Sequence, residues 1–236
     1  MPRRVAVALL AVTALIAGCS DGRDAPGAAA TTAPATSAPA GAPTTAGATS
    51  TTATATTRAQ PVRYTFPLRG CRYDFSRGHH DYPATDIFAA RGCVVVAPVA
   101  GRIDEISTTD RWTPASNRGS DRGGLSVSVV GVDGVRYYGS HLSALAAGVR
   151  PGARVTAGRV LGRVGNTGSA QVTPPHLHFG LSWPTRAGIW WIRRGVVDPY
   201  PFLTSWRRGG DLSPVAAVRS ARARAGAATP PCSAAC

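Results

Sequence analysis

The sequence predicts an all-β fold, a compact antiparallel β-sandwich or half-open barrel, following a disordered linker. Three observations carry this. Between residues 61 and 205 short β-branched runs alternate with Gly, Pro and Asp, the punctuation of strands joined by turns. Helical periodicity is nearly absent from the same span. The preceding stretch is almost entirely Ala, Thr, Pro, Gly and Ser and has nothing from which to build a core. With 236 residues in all, the mixed region has room for one modest domain.

Taken in order, residues 1–18 carry Arg3 and Arg4, an apolar run over residues 5–16 and then small residues, the layout of an export signal. The apolar run is too short to span a bilayer as a helix. Leu15-Ile16-Ala17-Gly18-Cys19 resembles the lipobox of bacterial lipoproteins. That resemblance implies a lipidated Cys19 at the head of the mature chain, on the outer face of the cytoplasmic membrane and facing the wall. Residues 19–60 read as a flexible tether. Treated as a coil it averages ~35 Å end to end and reaches ~140 Å when stretched, which carries the following domain beyond the lipid surface.

Within the domain, residues 93–97 and 102–107 read as strands around Ala100-Gly101. Residues 125–130 and 135–138 flank Asp133-Gly134, a type I′ hairpin signal. Residues 155–162 and 177–182 complete the expected sheet. From residue 206 the apolar pattern fades, and Arg207, Arg208, Arg219, Arg222 and Arg224 face a single acid, Asp211. Residues 206–236 therefore read as a mobile basic tail.

The formal charge is +14, and all 26 basic residues are arginine. Such a surface is drawn to polyanions, and in an exported chain these are wall polymers or anionic lipid rather than nucleic acid. A monomer is expected. Five cysteines divide into the lipidated Cys19 and two pairs. Cys71 and Cys93 flank the first histidine cluster, so a bridge between them would brace that loop and contribute about 3 kcal/mol. Cys232 and Cys236 pair with each other or with nothing.

The five histidines fall in three places: His79-His80, His141, and His176 with His178. Two apart at the start of a strand, His176 and His178 share a face roughly 6.6 Å apart at Cα, so both rings address one cleft. His80 and Asp86 bracket a proline-bent loop and combine imidazole with carboxylate, a donor set that favours Zn²⁺; His79 and Asp81 are alternative ligands there. The single glutamate, Glu105, sits in no H-E-x-x-H pattern, so a carboxylate general base of that type is excluded. Histidine is left for acid–base work. No G-x-S-x-G elbow offers a serine nucleophile.

His80 with Asp86, Tyr138-Gly139-Ser140-His141-Leu142 and His176-Leu177-His178-Phe179 occur in the order of the M23 family motifs. They resemble the lysostaphin- and LytM-like zinc endopeptidases, and the resemblance covers about residues 66–200. It implies a LytM-like half-barrel of the duplicated-hybrid-motif type, with zinc held by His80, Asp86 and His178. It also implies that His141 and His176 act on the water and the developing oxyanion, and that peptide cross-links of peptidoglycan are the substrate. Two departures stand out. Five residues separate His80 from Asp86 where three are usual, a longer form similar to actinobacterial members, which keeps His79 as a rival ligand. The closing HLHFE reads HLHFG, with Gly180 in place of the acid. A second reading is a catalytically inert module of the same fold that regulates another wall hydrolase.

Overall fold

The computed structural model describes residues 61–79 and 81–232. They form a largely antiparallel half-barrel. Ten strands make one sheet: β1 (Leu68–Arg69), β2 (Tyr73–Asp74), β3 (Thr85–Ala89), β4 (Val94–Val96), β5 (Gly101–Ser107), β6 (Leu125–Gly131), β7 (Arg136–Leu145), β8 (Arg154–Val155), β9 (Val160–Val164) and β10 (His176–Ser182). Three helices follow, α1 (Trp190–Arg193), α2 (Tyr200–Arg207) and α3 (Val215–Ala225). The main path runs β1-β4-β9-β7-β10-β3-β2, and β5, paired with β6 and β8, joins it through the β6–β7 pair.

Strand β10 determines where the site lies. All seven of its residues are buried, because it is covered on both faces. Period two sends Leu177, Phe179 and Leu181 into the main apolar cluster, leaving His176, His178 and Gly180 on the opposite face. Each large apolar side chain contributes about 1.5–3 kcal/mol when buried. A slip of one residue would turn all three toward the face now held by the histidines and drive the imidazoles into the apolar cluster, so this register is strongly specified.

Several sequence expectations change in detail. The β6–β7 hairpin forms, but only Gly134 has positive φ (+79°) and Asp133 does not. The turn is therefore not type I′. Gly134 donates to the Gly131 carbonyl and Gly131 to the Val135 carbonyl, the pattern of an ordinary turn closed by a left-handed glycine. The strand expected over residues 155–162 is two short strands, β8 and β9. The Arg159 amide bonds the Thr156 carbonyl, and Gly158 at φ +80° breaks the run. Strands β4 and β5 do not pair with each other; β4 lies between β1 and β9.

The basic tail is the largest correction. Residues 206–229 continue the fold rather than leaving it, with α3 packed on the domain. Val218 of α3 and Trp206 of α2 both enter the core cluster, and Trp206 stacks on Tyr64 at 5.2 Å between ring centroids. Val218 and Ala221, three apart, form the narrow buried stripe of α3, while Arg219, Arg222 and Arg224 are exposed around it. So sparse a stripe is easily read as solvated. Cys71 and Cys93 form the expected disulfide, with Cα atoms 5.9 Å apart. Cys232 is also disulfide-bonded, and Cys236 lies outside the described residues.

Candidate metal centre and acid–base site

Strand β10 lies between β3 and β7, and His178 sits directly across from Asp86 on one side and Ser140 on the other. The His178 Nδ1 is 2.9 Å from Asp86 Oδ1, and its Nε2 is 3.2 Å from the Arg194 carbonyl and 3.3 Å from the Tyr82 hydroxyl. His79 Nε2 lies 3.9 Å from Asp86 Oδ2, and its ring centroid is 5.0 Å from that of His178. Among the described residues, His79, Asp86 and His178 each offer a ligand atom within 4.8 Å of the others. Two imidazoles and a carboxylate of this spacing fit a divalent zinc ion. His80, the expected ligand, lies outside the described residues, as does the lipidation residue Cys19.

His141 and His176 converge beside this set. Strand β7 bends at His141, which adopts φ +63°, a left-handed conformation uncommon for a side chain larger than glycine. Its amide bonds the Gly123 carbonyl, and the β6–β7 and β7–β9 pairings both shift register nearby. The bend brings its ring to 4.8 Å from that of His176 and 5.9 Å from that of His178. His176 Nε2 lies 3.9 Å from Asp86 Oδ1.

Two backbone carbonyls set the tautomers. His141 Nδ1 is 2.8 Å from the Thr167 carbonyl, and His176 Nδ1 is 2.9 Å from that of Pro174. A carbonyl only accepts, so each Nδ1 must donate, and in the neutral ring the lone pair is on Nε2. Burial, reinforced by the neighbouring His178 and His176 rings, pushes the His141 pKa down to about 3. This ring is therefore neutral at pH 7, with its Nε2 unprotonated. Burial alone would raise the Asp86 carboxyl. The His178 hydrogen bond and the His178, His176 and His79 rings outweigh it and hold that carboxyl well below the usual range.

These groups line one open cleft of ≈ 780 Å³, whose walls also carry Tyr82, Tyr138, Trp190 and Arg194. Of the expected site residues, Asp86, His141, His176 and His178 thus come together from β3, β7 and β10. Sequence reasoning missed Tyr82 and the Arg194 backbone, both in contact with His178. The signal for Tyr82 was its place inside the His80–Asp86 loop; a backbone carbonyl leaves no residue-type signal. Trp190 and Trp191 are half-buried around α1, and Arg193 is buried in an ion network rather than presented to solvent.

Residues 80–188 match the family model described as peptidase family M23. The chain is 30% identical over 155 residues to the "L-Ala--D-Glu endopeptidase" of Bacillus subtilis (strain 168), a match that covers 63% of this chain and 43% of that protein. It therefore spans less than half the length of that curated relative. Among solved structures it is similar to the catalytic domain of lysostaphin from Staphylococcus simulans, at 27% identity over 56% of this chain and 93% of that one, TM-score 0.42. It is also similar to a putative glycyl-glycine endopeptidase lytM from Ruminococcus gnavus, at 21% identity over 64% of this chain and 62% of that one, TM-score 0.46.

Proposed function

Because residues 80–188 of the chain are a peptidase family M23 domain, we propose that it is a zinc-dependent endopeptidase that hydrolyses peptide cross-links of cell-wall peptidoglycan. The observation that carries this reading is the convergence, in one cleft, of Asp86 and His178 with two further imidazoles whose Nε2 lone pairs are fixed by backbone carbonyls. The Bacillus relative is named as an endopeptidase of an L-Ala to D-Glu bond, which supports a peptide of that general class as substrate.

Asp86 and His178 would hold the zinc together with one histidine of the 79–80 pair. Sequence pattern favours His80, and His79 is the described ring within reach. Zinc, when bound, polarises the scissile carbonyl and lowers the pKa of water toward about 7. The chain's own residues supply the proton path. His141 or His176 takes a proton at Nε2 from the attacking water, with its Nδ1–H anchored on the Thr167 or Pro174 carbonyl. The imidazolium so formed returns the proton to the departing amine, and while charged it stabilises the developing oxyanion. Each positioned acid–base group of this kind is worth about 10²–10⁴ in rate.

In this proposal the protein acts as a monomer, exported and held by lipid on Cys19 at the outer face of the cytoplasmic membrane. The exposed arginines of α3 suit contact with anionic wall polymers. An inert regulatory module is not favoured, since the chain keeps both candidate acid–base histidines beside its metal donors. The test is mass analysis of purified peptidoglycan after incubation with the protein, with EDTA, and with EDTA followed by zinc. New amine-terminated fragments that vanish with chelator and return with zinc are expected. Intact peptides in every sample would refute the proposal.

A further inference from the structure

The loop that joins β5 to β6, residues 108–124, walls the cleft and grips His141 twice. Thr109, Arg111, Arg122 and Gly123 line the cleft, whereas Asp110 is not among the described residues that do. At the far end of the loop the Gly123 carbonyl accepts the His141 amide at 2.9 Å and so supports the left-handed bend of β7. At its start Asp110 reaches the ring indirectly, through the peptide group between Thr167 and Gly168. The carbonyl of that group lies 2.8 Å from His141 Nδ1, and its amide donates to Asp110 Oδ2 at 3.0 Å. One peptide group thus stands between a carboxylate and an imidazole of the proposed acid–base pair.

The carboxylate is itself held from two sides. Its Oδ2 also accepts the Gln171 side-chain amide at 3.0 Å, from the 3₁₀ turn Gly168–Val172, and its Oδ1 accepts the Trp112 amide at 3.3 Å, from its own loop. The flanking residues are tied as well. The Thr167 hydroxyl donates to the Leu142 carbonyl at 2.8 Å and accepts the Leu125 amide at 3.0 Å, and the Ser169 amide donates to the Arg122 carbonyl at 2.9 Å. Gly168 sits at φ +66°, where a Cβ would collide with the Arg122 carbonyl oxygen. Within this frame the tilt of the Thr167–Gly168 peptide depends on Asp110. A peptide is planar, so an amide that lost its acceptor and turned toward another would swing its carbonyl, and with it the partner of His141.

We propose that Asp110 is a positioning residue for His141: by holding the Gly168 amide it fixes the plane of the Thr167–Gly168 peptide and, through that carbonyl, the direction in which the His141 ring points into the cleft. A reacting group misplaced by about 1 Å lowers a rate by about 100-fold, so a residue that never lines the cleft acquires leverage over the reaction. A plain turn-capping role would cost stability and leave the geometry of His141 untouched. The inference rests on the acid–base role proposed above for His141.

Asp110→Ala removes the acceptor and should lower kcat by about 10- to 100-fold, with KM and zinc content within about 2-fold of wild type. Asp110→Asn keeps one oxygen for the Gly168 amide and should recover most of that loss. A folded Asp110→Ala variant with kcat within about 2-fold of wild type overturns the inference, as does a loss of rate matched by loss of zinc, or an Asn variant as impaired as the Ala one. The geometry is also read without peptidase activity, from nuclear Overhauser contacts between the His141 and His176 rings, whose centroids are 4.8 Å apart. These contacts should persist in wild type and Asp110→Asn and weaken in Asp110→Ala; unchanged contacts in the Ala variant overturn the inference. Should Asp110→Ala fail to fold, hydrogen exchange on the wild-type protein still decides: the Gly168 amide should exchange about 100-fold or more slowly than a free peptide, and an unprotected amide overturns the inference. A wild-type protein with the ring contacts and the protected amide but no peptidase activity would refute the proposed function and leave the positioning of His141 intact.

Discussion

Replacing Arg136 with Met tests how much of the domain's stability is invested in the ion network beneath the cleft. Met keeps the apolar stem of a side chain that is fully buried, and removes four donor contacts: to Asp104, Glu105, Ser128 and the Arg193 carbonyl. Breaking a buried ion pair usually costs about 3–5 kcal/mol, because a bare charge is left behind. Here both acids keep Arg193 at 2.6 and 2.7 Å, and their side chains are 25% and 46% exposed, so neither is stranded in the interior. The groups that lose a donor are the Ser128 hydroxyl and the Arg193 carbonyl, at about 1–3 kcal/mol each, partly offset by burying the Met. The expected loss is about 2–3 kcal/mol, or roughly 5–10 °C in Tm for a domain of this size. Urea melts followed by far-UV circular dichroism measure it as a lower midpoint at unchanged slope. A variant within about 0.5 kcal/mol of wild type, or more stable than it, would refute the reasoning, since surface substitutions fall in that range.

Three further outcomes follow from the same contacts. His141→Asn, which tolerates the left-handed backbone at φ +63°, should lower kcat by about 10²–10⁴ and leave zinc content unchanged; parallel loss of metal would show that the ring is a ligand instead. Cys71→Ser with Cys93→Ser opens a bridge spanning 22 residues and should cost about 3 kcal/mol in a denaturant melt, a change under about 1 kcal/mol arguing that the loop is braced by other contacts. Trp206→Ala removes the stack on Tyr64 and a core member. It should cost about 3–5 kcal/mol and expose the Arg-rich α3 to limited proteolysis, whereas an unchanged cleavage pattern would mean that α3 docks without it.

The site was more legible in the sequence than the fold around it. Chemistry-bearing residues are few: with one glutamate and five histidines, the three histidine clusters stood out, strand alternation placed His176 and His178 on one face, and the resemblance to the M23 motifs joined them to Asp86 and His141. The core strands β6, β7 and β10 were readable because alternation and turn residues agree there. The very short pairings β1, β2 and β8, two residues each, are too brief for any periodicity. Helix α3 was missed because Val218 and Ala221 bury only a thin stripe among arginines. The hairpin at Asp133-Gly134 was found, but its turn type depended on the φ of Asp133, which tertiary contacts decide. Asp133 accepts hydrogen bonds from both Tyr64 and Tyr137, at 2.8 and 2.6 Å. The network of Arg136 and Arg193 with Asp104 and Glu105 was invisible for a different reason: its partners are up to 89 residues apart, and buried arginine looks in sequence like any other arginine.

The central claim, a metal held by Asp86, His178 and one histidine of the 79–80 pair, is tested most directly by anomalous diffraction at the zinc edge from crystals grown with zinc. The account predicts one strong peak about 2.0–2.2 Å from an Asp86 oxygen and a His178 nitrogen, with the third protein ligand from His79 or His80. A cleft without such a peak, or a zinc ion whose ligands leave out Asp86 and His178, would contradict it.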